Sequence, residues 1–435
     1  MTPASPDPAE SSHRLSVQVV DRTAGAARLL TLRTPVRNVV SLRASLRTWP
    51  DFAEGEELLQ GLTVALLDKG TLRRDRFAIA ELLEDRGAQL SFDSDGLFVA
   101  CSGRSLREDV EEVLGAAAEQ LREPLLDAGE FDKARARMIA SLRRAMENTA
   151  SQASSALARR LYGRSHPNYT EAPAAQIARL EALTLDDVRA YHAAHFGANA
   201  LTVVLVGDVD HAAAERAVAD AFGDWPAGTA RAAFSTGPSP QPPGREALHI
   251  PDRENVDVRM GHPLRVFRGD PDYVPLYLAN YILGGNFSAR LMTVIRDEMG
   301  LTYGIRSGFS GISNDYQGHW LVSVTLSREN VERGVEATLA EVRRFVDAGV
   351  REHELAEKQT TISGAYKVGL ATTGGLATVL LTNAERGFDV GYMDRFPEEV
   401  SAVTLEQVNN VLRRHFDPSQ LQIAMAGMVP EMESA

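Results

Sequence analysis

One segment of this sequence occurs twice, and that limits the fold more than any other feature. Residues 184–209 read TLDDVRAYHAAHFGANALTVVLVGDV and residues 404–429 read TLEQVNNVLRRHFDPSQLQIAMAGMV. They align without a gap at an offset of 220, sharing Thr, Leu, Val, His, Phe, Leu, Gly and Val in register. Each copy predicts a helix opened by Thr, with an acidic residue two positions on, where the positive helix end favours it. A turn follows, then a strand. The strands, 201–206 and 421–426, are nearly continuous apolar runs, which predicts central places in a sheet. An internal repeat of this kind means two copies of one structural unit.

A second pair of segments fits the same division. Residues 77–86 and 289–299 both have helical patterns. Ile79 and Leu83 share one face at a spacing of four, as do Leu291, Ile295 and Met299. Each helix ends at a glycine, Gly87 or Gly300, suited to the left-handed position after a helix, and leads into a strand at 88–92 or 301–306. Between the halves, residues 227–246 read AGTARAAFSTGPSPQPPGRE, too rich in Pro and Gly for regular structure. The chain therefore divides into a disordered tail at 1–14, an N-terminal domain at 15–226, a linker at 227–246 and a C-terminal domain at 247–430. Strands at 38–47, 97–102 and 320–326 mix with long helices such as 128–147. That mixture predicts the α+β class: two homologous domains, each a mostly antiparallel sheet with helices packed on one face.

Composition narrows the chemistry. Hydrophobic residues make up 44% and charged residues 24% of the 435, as in an ordinary globular protein. No apolar run approaches the ~20 residues that span a bilayer. Residues 1–13 have neither the basic nor the apolar stretch of a secretory signal, which predicts a cytoplasmic chain. A net charge of −13, from 46 basic and 59 acidic residues, argues against a nucleic-acid partner. The single cysteine, Cys101, rules out an internal disulfide and a cysteine-built metal site. Lysine chemistry has four candidates: Lys69, Lys133, Lys358 and Lys367.

Catalytic motifs are missing. The ten histidines include no H-x-x-E-H or H-E-x-x-H. The nearest arrangement is His192 and His195 on the repeat's helix, but His195 has a counterpart in His415, beside Phe416, which marks a packing position. Ser310 lacks a G-x-S-x-G elbow, and Cys101 has no histidine partner in the pattern. The pairs Gly284-Gly285 and Gly374-Gly375 lack the lysine and spacing of a phosphate loop and read as turns.

Several short motifs nevertheless follow one another in a specific order. The first half has Gly61-Leu62, then Leu66-Leu67-Asp68-Lys69-Gly70-Thr71, His166-Pro167 and Phe222-Gly223-Asp224-Trp225-Pro226. The second half has Leu283-Gly284-Gly285-Asn286-Phe287-Ser288-Ala289-Arg290-Leu291, then Ile295-Arg296-Asp297 and Gly300-Leu301-Thr302-Tyr303. Over nearly its whole length the chain resembles the insulinase, pitrilysin and mitochondrial processing peptidase family of zinc peptidases, and its short bacterial members most closely. The resemblance implies two domains arranged as a clamshell. Active members carry H-x-x-E-H before the Lys-Gly-Thr turn, where two histidines a helical turn apart bind zinc and the glutamate activates its water. A more distant glutamate completes that site. Here the histidine positions fall on Gly61 and Ala65, the base on Val64 and the distal glutamate near Ser141. All four lack the required group, so no zinc is expected on this chain.

Arg296 and Tyr303 are the polar residues left in a suggestive place. By themselves they read as a helix-end arginine favoured by the dipole and an ordinary strand tyrosine. The first repeat has Leu83 and Leu90 at the matching positions, so the fold does not itself call for polar groups there. The resemblance implies more. In the family an arginine and a tyrosine with this spacing face the zinc, where they hold substrate carbonyls and support the tetrahedral intermediate. Some bacterial members divide the site between two chains. The expectation is therefore a non-catalytic, substrate-binding subunit of a heterodimeric zinc endopeptidase. Its partners would be a homologous H-x-x-E-H chain carrying the zinc and an extended peptide. The alternative is a non-proteolytic, peptidase-like scaffold or peptide-binding protein, as a homodimer.

Overall fold

The computed structural model describes residues 14–48, 55–198, 200–228 and 236–429. The expected tail, apart from Arg14, and residues 229–235 of the expected linker lie outside the described residues. The chain forms two compact units, and each draws on both halves of the sequence. The first gathers the described residues of Met1–Met138, Arg179–Ala232 and Ala365–Phe396. The second gathers those of Ile139–Ala178, Ala233–Gly364 and Pro397–Ala435.

The first unit is built on β1 (Val19–Ala24), β2 (Ala27–Arg33), β3 (Val39–Arg47), β4 (Gln89–Ser94), β5 (Phe98–Leu106) and β6 (Thr202–Gly207), in the order β1-β2-β6-β3-β5-β4. β2 and β6 pair in parallel and the other neighbours antiparallel. The second unit has β7 (Arg245–His249), β8 (Asn255–Pro263), β9 (Ile305–Ser310), β10 (His319–Ser327) and β11 (Gln422–Gly427), in the order β7-β11-β8-β10-β9. Here β7 and β11 are parallel and the rest antiparallel. With β1 set aside, order and sense coincide strand for strand. The repeat in the sequence is a repeat of topology, and β6 and β11 take the central places that their apolar runs predict. β7 starts at Arg245, inside the segment expected as a linker, and Gln241 N before it donates to Arg160 O at 2.8 Å.

Local chemistry repeats too. Thr184 and Thr404 each close a capping box on the helices Leu185–His195 and Leu405–His415, with Asp187 and Gln407 reaching back to the cap. The third helical residue thus does the work expected of the second. Each helix ends in a histidine beside a carboxylate. His195 Nε2 lies 3.7 Å from Glu56, which opens the helix Glu56–Val64. His415 Nε2 lies 2.8 Å from Asp272, the N-cap of the helix Tyr273–Gly284.

In the first unit the expectation of helices on one face of the sheet needs correction. The helices Val110–Arg122 and His211–Phe222 cover one face, bringing Leu114, Val218 and Phe222 into one core with Leu29, Val203 and Leu205. Leu30, Leu32, Val204 and Val206 belong to the opposite face, where Leu376, Ala377, Leu380 and Leu381 of the helix Thr373–Glu385 cover them. Side chains alternate across a strand, so a strand apolar at every position needs cover on both faces. In the second unit the helix Thr149–Leu161 seats Ala156, Leu157 and Leu161 with Ala424 of β11. Each covering helix comes from the opposite half of the sequence. Gly374-Gly375, expected as a turn, instead forms the first turn of Thr373–Glu385 behind its Thr372 cap. A Cβ at Gly375 would collide with the Gly369 carbonyl.

Candidate functional site

Arg296 and Tyr303 both belong to the second unit. The segment carrying Arg296 is a π-helix, Met292–Glu298, rather than the expected α-helix. Met299 N donates to Val294 O, five residues back, at 3.0 Å. Leu291 and Ile295 are buried, as their spacing predicts. Gly300 takes the left-handed conformation at φ 64, and Leu301 N closes the end on Ile295 O at 3.1 Å. π-Helices are rare and are frequently found at functional sites. This one marks Arg296 independently of any resemblance.

Tyr303 lies on a loop, not in a strand, because β9 starts only at Ile305. The loop is pinned to β10: Thr302 Oγ1 donates to Thr325 O at 2.6 Å and accepts from Gly304 N at 3.1 Å. Thr325 is held in turn, its Oγ1 donating at 2.8 Å to Asp257, a buried carboxylate that also accepts from Thr149 Oγ1 at 2.6 Å. From this ordered loop the Tyr303 side chain projects 99% exposed. The Arg296 guanidinium pairs with the neighbouring Asp297 at 3.0 Å, both side chains being substantially exposed. Such a surface pair contributes little and leaves the guanidinium open to a ligand. The structure sets the two residues on either side of the Gly300 cap, with no hydrogen bond joining them among the described residues.

The positions that would carry zinc do not fit a metal. Gly61 and Val64 lie in the helix Glu56–Val64 and Ala65 is its C-cap. A Cβ at Gly61 would meet Met138 Cε at 3.3 Å, so a methionine already borders that space. Ser141 is exposed on the helix Ala128–Met146 and belongs to the second unit. Among the described residues, no group of three or more His, Cys, Asp or Glu side chains is placed to hold a metal ion. His192 Nε2 is engaged by Leu121 O at 2.9 Å and His195 Nδ1 by Thr48 O at 2.8 Å, which makes both structural. Burial pushes the Cys101 thiol up to about 12, which removes it as a nucleophile.

One cluster in the second unit escaped sequence reasoning. Tyr162 OH and His319 Nδ1 share a hydrogen bond of 2.6 Å, and His166 stacks on Tyr162 at 4.3 Å. Burial pushes His319 down to about 3 and His166 down to about 4, so both rings are neutral packing elements. His166-Pro167 was legible as a motif, but His319, which completes the cluster through Tyr162, lies more than 150 positions away.

Comparison with known proteins agrees with this fold. The family profile described as "Peptidase M16 inactive domain" matches residues 182–362. A Helicobacter pylori protein named "Non-peptidase homolog YmxG" is 23% identical over 371 residues, 84% of each chain. A Streptomyces coelicolor protein named "Uncharacterized zinc protease SCO5738" is 23% identical over 405 residues, 89% of this chain and 87% of that one. Among solved structures, a peptidase M16 inactive domain from Pseudomonas fluorescens shares the fold at a TM-score of 0.84 and 24% identity, covering 95% of this chain and 99% of its own. The periplasmic protease PqqL from Escherichia coli shares it at a TM-score of 0.79 and 14% identity, over 94% of this chain and 45% of its own. Among the described residues no helix is long and apolar enough to cross a membrane. Residues 182–362 therefore match the inactive domain of the M16 peptidases, the insulinase-type family the motifs resemble, and the sequence lacks that family's zinc motif.

Proposed function

We propose that this chain is the substrate-binding, non-catalytic subunit of a heterodimeric M16 zinc endopeptidase. The observation that carries the reading is Tyr303, 99% exposed on a hydrogen-bonded loop beside the π-helix of Arg296, in a sequence without H-x-x-E-H. A guanidinium only donates hydrogen bonds, and a phenol donates one readily. The pair suits carbonyl oxygens: Arg296 would hold the backbone of an extended peptide, and Tyr303 would meet the oxyanion as charge develops. Neither residue supplies a nucleophile or a general base. The pair is half of a hydrolytic site, and the other half, zinc and glutamate, would come from a homologous chain.

Affinity purification from the native host, with mass spectrometry and metal analysis of what co-purifies, tests the reading. The expected result is a homologous chain bearing H-x-x-E-H, together with zinc and peptide hydrolysis. Recovery of self-associated chain alone, without zinc or hydrolysis, would favour a homodimeric scaffold.

A further inference from the structure

The strand that follows Tyr303, β9, lies at the edge of its sheet with no strand beyond it. Register places Ala424, Arg259, Ser323 and Arg306 in one row across β11, β8, β10 and β9. The next row on the same face holds Gln422, Gly261, Leu321 and Gly308. The helix Thr149–Leu161 covers the inner part of this face. Its Ser154 Oγ accepts from Arg259 Nε at 3.1 Å, and a Cβ at Gly261 would meet Leu157 at 3.3 Å. The cover stops short of β9. A Cβ at Gly308, in the row of Gly261, would meet nothing within 4 Å, and the same holds at Gly304 before the strand.

Arg306 stands exposed between these two glycines. Its guanidinium makes no hydrogen bond or ion pair among the described residues. Arg259, its like-charged neighbour in the row, is paired with Asp257 at 3.3 Å. Asp257 also accepts from the Thr149 and Thr325 hydroxyls, so that carboxylate is already engaged. An unneutralised cation therefore sits on an open strip of backbone. Glycine within a strand can mark the close approach of a ligand or another backbone, and a guanidinium grips a carboxylate through two parallel hydrogen bonds.

We infer that Arg306 selects peptides with an acidic side chain, holding an Asp or Glu carboxylate while the peptide backbone lies over Gly304 and Gly308. The inference rests on the substrate-binding role proposed above and adds the class of peptide. Arg306 follows Tyr303 by three residues, about 10 Å of extended chain. The acidic side chain would fall at a similar remove from the carbonyl that Tyr303 meets. The net charge of −13 repels such peptides at long range, so the preference is local.

Fluorescence anisotropy on the full chain, with extended peptides capped at both ends, tests this, because capping leaves the side chain as the only carboxylate. A peptide with one Glu should bind about 10-fold tighter than the same peptide with Gln. An uncapped Gln peptide supplies a C-terminal carboxylate as the rival source. Arg306→Gln should erase the preference for Glu with an unchanged thermal melt, and Arg306→Glu should turn it towards a Lys peptide. Arg333→Gln, at an exposed arginine of the helix Val331–Ala348, should leave it intact. Equal binding of Glu and Gln peptides, a preference untouched by Arg306→Gln, or one that follows the free C-terminus would each overturn the inference and leave Arg306 a guard of the sheet edge. Those outcomes spare the substrate-binding role. Failure of the unaltered chain to bind any of the peptides would remove that role, and this inference with it.

Discussion

The helix Arg76–Glu84 in the first unit and the π-helix Met292–Glu298 in the second occupy the same place in the repeat. Both lead to a left-handed glycine, Gly87 at φ 56 and Gly300 at φ 64. In the first unit Ala88 N donates to Leu83 O at 2.8 Å, Leu83 is half-buried and Leu90 packs against the core. In the second unit the matching positions hold Arg296 and Tyr303, turned to solvent. The reversal at this place in the repeat, α-helical in one unit and π-helical in the other, therefore carries an apolar pair that packs or a polar pair that is displayed. Display is not a demand of the fold, and that makes it informative about function.

The largest effect expected from breaking this contrast is on turnover in the proposed heterodimeric enzyme. Tyr303→Phe should lower kcat on the order of 100- to 1000-fold, the usual loss for one oxyanion donor. Arg296→Ala should also raise KM, because a charged hydrogen bond to the peptide backbone acts in the ground state too. Leu90→Ala in the first unit should leave kcat unchanged. Steady-state kinetics on complexes with zinc and assembly verified would separate these outcomes, and near-normal turnover in both polar variants would reduce the pair to surface decoration.

Acid should separate the two units next. Burial lowers His166 from 6.5 to about 4 and His319 from 6.5 to about 3, and lowers His262 as well, all in the second unit. The unfolded chain takes up these protons first as pH falls. The stability they represent is complete above pH 6.5 and is lost as pH drops towards about 4 and then about 3. In the first unit burial lowers His192. Hydrogen exchange at about pH 5 should therefore show β10 and the segment around His166 opening before β6 does. Simultaneous opening of both units would argue against the histidine cluster as the cause.

Two smaller pairs of changes test whether the units are equivalent. Gly207 and Gly427, at φ 140 and 144, end the central strands, and a Cβ would run into the carbonyls of Val39 and Asn255 respectively. Gly207→Ala and Gly427→Ala should each cost about 1–3 kcal/mol in denaturant unfolding. Thr184→Ala and Thr404→Ala, which open the two capping boxes, should each cost about 1 kcal/mol. A large difference within either pair would show that the repeat is topological without being energetic.

The sequence made these repeated features legible because they are local: a cap at Thr184, an apolar run at 201–206, a glycine after a helix. It did not reveal which helices cover the second faces, since nothing in the segment containing Leu376 and Leu380 names the sheet it meets. Gly374-Gly375 misled for a related reason, its role being close packing against the Gly369 carbonyl rather than a turn. The π-helix was invisible because Leu291 and Ile295 repeat at four residues whether each turn holds 3.6 residues or slightly more. Tyr303 looked like a strand residue because tyrosine favours strands. In the candidate site, the missing zinc ligands at Gly61, Val64, Ala65 and Ser141 were readable only against a family motif. The open strip beside Arg306, which depends on β9 lying at the edge of its sheet, was not readable at all.

The most direct test of the central claim is zinc content and peptide hydrolysis measured on the purified chain alone and again after it is combined with the proposed H-x-x-E-H partner. The expected result is no stoichiometric zinc and no cleavage for the chain alone. In the combined enzyme, one zinc should be held by the partner, and cleavage should depend on Arg296 and Tyr303. One chelator-resistant zinc per chain, with peptide cleavage by the chain alone, would contradict the account.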